Sequence, residues 1–261
     1  DFMITHFFNP PRYLRLLEIV AGEEVSKEKI ESISQFCDLT LGKEVVLCND
    51  TPGFIGNRIG TYWTLVGMIE AVKLGLTVEE ADAVMGRPIG APKTGIFGLI
   101  DVVGLDLIPH VTESMSSNLS KDDMYNLGVK EQESLGIDKI LEEMISEGYT
   151  GRKGKGGFYR LNSEAGNRIK ESRNLNTGIY NTSVRKVGFE SVRAAKKGLR
   201  TLVEYNDKGG EYAWKVLSKT LSYAASLVPE ITNNLVNVDL AMKNGFLWKK
   251  GPFEMLDELG P

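Results

Sequence analysis

The chain has two histidines among its 261 residues, and they stand in different surroundings. His6 ends a short apolar segment, Phe2–Phe7, that is typical of a β-strand. An imidazole exchanges a proton near neutral pH, and strand ends in α/β domains are where ligands bind. His6 is therefore a candidate general base. His110 lies between Pro109 and Val111 in a helical segment, where packing or surface exposure is the expected role.

A single acidic residue, Glu18, interrupts the apolar strand pattern at 16–21. A carboxylate in a buried strand is costly unless it is paired. The Asn-Pro-Pro turn at 9–11 folds the chain back, so that Glu18 can lie beside His6 and fix the tautomer of its ring. The alternative is that Glu18 alternates outward to solvent, and the pattern alone leaves both open.

The first 48 residues follow the order strand, turn, strand, helix, strand. The helix is expected over 26–41, where apolar residues recur every three or four positions and Gly42 follows, and a Val-rich strand is expected at 43–48. This order is typical of the tail of an α/β domain. We therefore place a domain boundary after residue 48.

Beyond that boundary the pattern is helical. Asp50–Pro52 predicts a helix start, with a capping side chain and a proline in the first turn, and that helix should run to about Leu74. Thr77–Glu80 predicts a capping box for the next helix. Further helices are expected around 95–120 and 136–147, and again from about 211.

A motif with the pattern G-x-F-x-x-[IL]-D-x-x-G occurs twice, at 95–104 and 251–260, each time preceded by D-x-x-M. Related helical units of this kind often pack their apolar faces together. The alternative is two unrelated amphipathic helices. We predict a mainly α protein with a duplicated helical unit, divided into 1–48, a first helical domain at 49–160, a polar linker with at most one helix at 161–205, and a second, diverged unit at 206–261.

Composition excludes several classes of function. The net charge of −4 and pI of about 5.5 do not favour nucleic acid as a partner. No apolar run is long enough for a membrane helix. Cys37 and Cys48 lack the spacing of a metal site, so no metal is expected, and both are expected as buried thiols in a reducing cytoplasm.

Three of these segments together resemble the 3-hydroxyacyl-CoA dehydrogenases. They are HFFNPP at 6–11 with LEIV at 17–20, DTPGFIGNR at 50–58, and the glycine-bounded motif at 95–104. The resemblance runs continuously over residues 1–104, and 211–260 resembles a second copy of the helical domain. It implies that residues 1–48 are the tail of the NAD-binding Rossmann domain.

The resemblance also implies roles for individual residues. His6 matches the base that takes the proton of the substrate 3-hydroxyl, Glu18 the carboxylate paired with it, and Asn57 an amide that hydrogen-bonds in the substrate site. Asn57 is alternatively an amide on a helix surface. The glycine-rich NAD motif of the family and its serine near the substrate hydroxyl do not occur in the chain. NAD is thus expected for the parent protein only, and the chain alone is expected to be inactive.

A glycine-rich basic segment at 151–159 looks like a phosphate cradle, but no strand precedes it and no helix follows at once. It resembles a loop that follows the first helical domain in the family. Two interpretations stay open: a flexible turn, or contact with the phosphates of CoA through Arg152, Lys153 or Lys155.

The implied setting is fatty-acid β-oxidation in the cytoplasm, with an acyl-CoA substrate. Both ends of the chain are expected to be cuts within a longer multifunctional protein. In that parent the two helical units would pack as an internal pseudo-dimer, with an enoyl-CoA hydratase domain downstream. The second unit has no counterpart of Asn57 and is predicted to be structural. The alternatives are a 3-hydroxybutyryl-CoA dehydrogenase of butanoate metabolism and a non-catalytic CoA-binding or assembly module.

Overall fold

The computed structural model describes residues 2–162, 168–184 and 187–260. The chain divides into two compact units, the first formed by Asp1–Thr61 with Thr220–Pro261 and the second by Tyr62–Lys219. Helices dominate, with a small α/β part at the beginning of the chain, so the predicted fold class is confirmed. None of the helices in the described ranges is both long and apolar enough to cross a bilayer.

In chain order the elements are β1 (Met3–Phe7), β2 (Leu16–Ala21), α1 (Lys27–Leu39), β3 (Glu44–Leu47), α2 (Gly56–Leu74), α3 (Val78–Val84), α4 (Phe97–Val103), α5 (Ile108–Asn118), α6 (Met124–Ser134), α7 (Ile137–Ser146), β4 (Tyr159–Asn162), β5 (Ile169–Arg173), β6 (Tyr180–Thr182), α8 (Glu190–Ala194), α9 (Leu199–Val203), α10 (Lys208–Ser226), α11 (Leu235–Gly245) and α12 (Pro252–Leu259). Short 3₁₀ turns precede α4 and α5 and follow α8.

The first unit is built on a three-stranded sheet with β2 in the centre. β1 pairs antiparallel with β2 through the turn at 9–11, and β3 pairs parallel with β2 on its other side. α1 and α11 contact β2, whose residues Leu16, Leu17 and Ile19 are almost completely inaccessible to solvent. The side chain of Lys43 donates to the main-chain oxygens of the loop between β1 and β2, which holds that loop against the sheet.

The start of α2 differs from the sequence prediction. A helix beginning at Asp50–Pro52 was expected, but α2 begins at Gly56. Gly53 and Phe54 adopt left-handed backbone angles, with φ of 75° and 50°, which a right-handed helix cannot contain. The segment therefore forms a turn before the helix begins. The main-chain N–H groups of Ile55 and Gly56, which follow this turn, donate to a side chain instead of to the helix.

The repeated sequence motif marks a repeated structural device. In the second unit of the fold, the Asp82 carboxylate accepts hydrogen bonds from the N–H groups of Phe97 and Gly98, at 2.7 and 3.0 Å, where α4 begins. In the first unit, Asp239 accepts from the N–H of Phe253 at 2.8 Å, where α12 begins. An acidic side chain thus caps the motif helix in both copies.

The first glycine of each motif makes this capping possible. A Cβ atom on Gly95 would overlap the Cα of Asp82, and one on Gly251 would overlap the Cα of Asp239. The motif therefore conserves within this chain both the acid that caps the helix and the glycine that lets the two backbones meet.

The segment predicted as a polar linker, 161–205, is more structured than expected, although residues 163–167 and 185–186 lie outside the described residues. β4, β5 and β6 form an antiparallel sheet, and α8 and α9 follow. The Arg160 side chain pairs with Glu171 on the opposite strand at 2.7 Å and lies over the Tyr180 ring. Cross-strand pairs of long polar side chains support this sheet, so the apolar alternation that reveals most strands is missing.

Replacing Gly95 by Ala should destabilise the protein by about 3 kcal/mol, because the methyl group meets backbone that cannot move aside and the left-handed φ of 62° is unfavourable for alanine. Gly188→Ala is the matched control, since a Cβ there meets no atom within 4 Å. Its effect should stay within about 0.5 kcal/mol. Urea unfolding measures both, and equal losses would contradict the capping role of the motif.

Candidate functional site

His6 and Glu18 face each other directly across the β1–β2 hairpin. The Nδ1 atom of the imidazole lies 2.7 Å from Oε2 of the carboxylate. Glu18 is completely buried, whereas the His6 side chain keeps 31% of its surface exposed. Glu18 therefore points inward, and the alternative that it faces solvent is wrong. Because Glu18 occupies Nδ1, Nε2 is the ring nitrogen left for a ligand.

The second oxygen of Glu18 is held by main-chain groups at the start of α2. Oε1 accepts hydrogen bonds from the N–H of Ile55 at 3.0 Å and of Gly56 at 2.8 Å. These are the N–H groups that the left-handed turn leaves free, and the positive end of the helix dipole adds to them. The buried carboxylate is thus fully hydrogen-bonded, which is the condition for keeping it in the protein interior.

A buried guanidinium supports the same turn from behind. Arg58, 1% exposed, donates from Nε to the Tyr223 hydroxyl at 2.5 Å and from Nη1 to the main-chain oxygen of Pro52 at 3.3 Å. Its Nη2 lies 3.4 Å from the carboxylate of Glu230. Arg58 therefore joins the turn before α2 to α10 and the residues after it. Sequence reasoning used this residue only as part of a motif and missed its structural role.

Aromatic rings flank the imidazole. Phe8 and Phe54 each meet His6 edge to face, with ring centroids 5.2 and 5.5 Å apart. Phe54 reaches this position from the left-handed turn, so the turn supplies both a ring beside His6 and the N–H groups that hold Glu18. Edge-to-face contacts from two phenyl rings favour one orientation of the His6 imidazole.

Asn57 follows Gly56 directly on the first turn of α2 and is half-buried. Its main-chain oxygen accepts from Thr61, but its side-chain amide makes no hydrogen bond within the part of the chain that the structure describes. The structure thus joins His6 to Glu18 directly and places Asn57 next to a residue that holds Glu18. Contact of the amide with substrate stays a prediction.

The two cysteines are buried in the first unit and form no disulfide. Burial, with the nearby charges of Glu18 and Asp50, raises the pKa of the Cys48 thiol far above its usual range, and burial also raises the pKa of Cys37. Both therefore remain thiols rather than nucleophilic thiolates. In the described ranges, no group of three His, Cys, Asp or Glu side chains is arranged to hold a metal ion.

The glycine-rich segment at 151–159 lies in the compact unit formed by Tyr62–Lys219. Asp101 accepts hydrogen bonds from the N–H groups of Phe158 and Tyr159, at 2.8 and 2.9 Å, so the segment closes around a buried carboxylate. Burial raises the pKa of Asp101 to about 6, against the opposing effect of these donors.

The basic side chains of that segment largely have partners within the unit. Lys153 pairs with Asp106 at 2.8 Å, and Lys155 donates to the main-chain oxygen of Glu147 at 3.1 Å. Arg152 is exposed. Contact of these residues with CoA phosphates stays a prediction. His110 is exposed on α5, in agreement with a surface role.

A half-exposed imidazole, oriented by a buried carboxylate on a strand hairpin and followed by helical units, is typical of enzymes that remove a proton from a hydroxyl group. Residues 1–51 match the family model described as "3-hydroxyacyl-CoA dehydrogenase, NAD binding domain", and residues 53–161 match "3-hydroxyacyl-CoA dehydrogenase, C-terminal domain". The chain belongs to the 3-hydroxyacyl-CoA dehydrogenase family.

Individual relatives agree with this membership. Over 255 residues the chain is 38% identical to a "putative fatty acid oxidation complex trifunctional enzyme" of Rickettsia prowazekii, in a match that covers 98% of this chain and 34% of that protein. It is also 38% identical to a "probable 3-hydroxyacyl-CoA dehydrogenase" of Bacillus subtilis, in a match that covers 99% of this chain and 32% of the relative. The chain thus spans about a third of the length of these curated relatives.

Among solved structures, 3-hydroxybutyryl-CoA dehydrogenase of Escherichia coli matches with a TM-score of 0.62 and 18% identity. The match covers 98% of this chain and 63% of that one. At this identity the likeness concerns the fold alone.

Replacing Glu18 by Gln should reverse the tautomer of His6. The amide oxygen of the new side chain can keep the two N–H donors of α2, but its NH₂ group would then face Nδ1 and force that nitrogen to accept. The ring proton should therefore move to Nε2, which ¹⁵N chemical shifts of the imidazole report. Glu44→Gln, a part-exposed position on β3, is the control and should leave these shifts unchanged. A Glu18→Gln protein with the wild-type shifts would show that Glu18 does not set the tautomer.

Proposed function

We propose that the protein containing this chain is an NAD-dependent dehydrogenase that oxidises the 3-hydroxyl group of 3-hydroxyacyl-CoA to a 3-oxo group in fatty-acid β-oxidation. The observation that carries the proposal is the pair of His6 and Glu18, at 2.7 Å, in a chain of this family. The pairing leaves one ring nitrogen available to take up a proton, which is what oxidation of an alcohol requires of the protein.

The proton is handled by His6 in this proposal. Its Nδ1–H donates to Glu18, so Nε2 carries the lone pair and accepts the hydroxyl proton of the substrate. Glu18 stays in place because the N–H groups of Ile55 and Gly56 hold its other oxygen. Its negative charge then stabilises the imidazolium that forms, in the manner of the carboxylates that orient catalytic histidines elsewhere.

Asn57 supplies orientation. An amide without a hydrogen-bond partner in the described part of the protein offers a donor and an acceptor to a bound substrate. Its position directly after Gly56 ties it to the segment that holds Glu18. We propose that it hydrogen-bonds to the acyl-CoA and keeps the 3-hydroxyl group in reach of His6.

We propose NAD as the cofactor of the whole protein, with its cradle outside the residues of this chain. A dinucleotide cradle needs a glycine-rich turn that joins a strand to a helix. The glycine-rich segment at 151–157 is a turn closed by a bridge between Gly151 and Gly156, and its neighbouring N–H groups hold Asp101, so it does not fit the cofactor. When bound to the whole protein, NAD supplies the acceptor for the hydride of C3. The chain alone is therefore proposed to be inactive.

The wider setting is part of the same proposal. The relative named as a trifunctional enzyme favours a multifunctional parent. By analogy within the family, we propose that this parent has an enoyl-CoA hydratase domain after this region and that its helical units pack as an internal pseudo-dimer. Two buried, unoxidised cysteines favour the cytoplasm. For the CoA phosphates, Arg152 is the most available of the basic residues at 151–159, because the exposed side chains of Lys153 and Lys155 are already bonded to Asp106 and to the main-chain oxygen of Glu147.

Replacing His6 by Gln in the full-length protein should lower kcat for 3-hydroxyacyl-CoA oxidation by about 10²-fold or more, because the general base is lost. The formation of NADH measures the rate. His110→Gln removes the other histidine of the chain and should leave kcat unchanged, since that residue is exposed on α5. Turnover that survives the change at residue 6 would sink the proposed function.

Replacing Asn57 by Ala should lower kcat/KM about tenfold, the usual effect of losing one uncharged hydrogen bond to a substrate. The midpoint of thermal unfolding should stay the same, because the amide makes no hydrogen bond among the described residues. Asn118→Ala is the control, since that side chain bonds only within its own helix. A loss of stability without a loss of kcat/KM would assign Asn57 to the fold instead.

A further inference from the structure

Phe8, which meets His6 edge to face, lies in a socket lined by two glycines, one from each of the two helical copies. A Cβ on Gly56, at the start of α2, would come within 2.5 Å of the tip of the Phe8 ring. One on Gly245, the last residue of α11, would come within 3.0 Å of the ring's opposite edge and 2.7 Å of Leu16. Real Cβ contacts are not this short, so both glycines are needed for the ring to sit where it does.

The next residue, Phe246, closes this socket. Its ring centroid lies 5.9 Å from that of Phe8, again edge to face. Its far edge rests on α2 at Gly60, where any Cβ would overlap the ring. Phe246 is therefore wedged between the backbone of α2 and the ring that touches His6.

The backbone around Phe246 fixes its place. α11 ends at Gly245, and Leu247 turns the chain with a left-handed φ of 57°, an uncommon conformation for a branched residue. The N–H groups of Phe246 and Trp248 both donate to the main-chain oxygen of Met242, which closes the end of the helix. The ring is thus presented by a tightly bonded helix end and not by a loose loop.

We propose that Phe246 is a positioning residue for His6, and that through it the second helical copy takes part in the proposed site. The contacts run from Phe246 to Phe8 and from Phe8 to the imidazole, with all three rings edge to face. Loss of the Phe246 ring would free Phe8 to tilt, and the imidazole would lose its orientation toward the substrate. The predicted effect on rate rests on the proposed function, whereas the effect on the orientation of His6 does not.

The test is Phe246→Leu in the full-length protein, which removes the ring but keeps an apolar side chain. We expect kcat to fall about tenfold, because small misplacements of a catalytic group are costly, with KM for the acyl-CoA changed less than about twofold. The imidazole NMR signals of His6, identified by their loss in His6→Gln, should shift.

Phe253→Leu is the matched control. It removes a phenyl ring from the same repeat copy, on α12, and should leave kcat and the His6 signals at their wild-type values even where the unfolding midpoint falls. Gly245→Ala gives a second route to the same disturbance, since the new methyl group pushes on Phe8. It should shift the His6 signals in a folded protein.

Two outcomes separate the inference from the proposed function. If Phe246→Leu lowers only the unfolding midpoint, with kcat and the His6 signals unchanged, Phe246 merely fills space and the inference is overturned. If His6→Gln leaves turnover intact, the proposed function fails, but a shift of the His6 signals in Phe246→Leu would still establish that Phe246 orients the ring.

Discussion

The burial of one negative charge, that of Glu18, organises the first unit. Placing an unpaired carboxylate in the interior of a protein costs several kcal/mol, and Glu18 has no exposed surface. Three donors offset this cost: the ring of His6 and the N–H groups of Ile55 and Gly56. One donor depends on the register of the hairpin and two depend on the turn before α2. The sheet, the turn and the helix are therefore each required in their observed positions by the same side chain.

This dependence explains which parts of the site were predictable. The pairing of His6 with Glu18 was predictable in part: the prolines at 9–11 dictate a reversal and a lone acid in an apolar strand needs a partner, but only the family resemblance favoured this pairing over a solvent-facing Glu18. The main-chain donors were not, since a backbone N–H is the same whichever residue carries it. Only Gly53 signalled the left-handed turn, and the proline and capping residues before it were also compatible with a helix start. The start of α2 at Gly56 is therefore where the structure differs from the sequence prediction.

Apolar periodicity did not predict the helices and strands whose buried positions are occupied by polar residues. α6 was not predicted, and the residues it buries are Tyr125, Asn126, Gly128 and Gln132. β5 and β6 lie in the segment 161–205 that was predicted as a linker, for the same reason, since Arg160 and Glu171 pair across β4 and β5. On α1 the reverse holds: its apolar pattern predicted the helix correctly, yet Phe36 is 52% exposed in the described structure. Periodicity thus located regular structure with an apolar stripe and gave little information on what that stripe packs against.

The internal repeat was visible in the sequence, but its physical meaning was not. Both copies keep the acid and the glycine that cap a motif helix, at Asp82 with Gly95 and at Asp239 with Gly251. They differ at the helix that precedes this device. In the first copy, the left-handed turn frees the N–H groups that hold Glu18.

In the second copy, the corresponding helix α10 begins directly after Asp207, whose carboxylate accepts a hydrogen bond from the N–H of Gly210 at 2.8 Å. Its first turn is therefore capped by the neighbouring acid, whereas the start of α2 holds an acid from a distant strand. What the second copy contributes instead lies at the end of α11, where Gly245 and Phe246 meet Phe8. The two copies share the same capping of the motif helix, but the segments outside that helix have different roles. In the first copy, the start of α2 holds Glu18, which orients the imidazole. In the second copy, Phe246 supports Phe8, the ring packed against that imidazole.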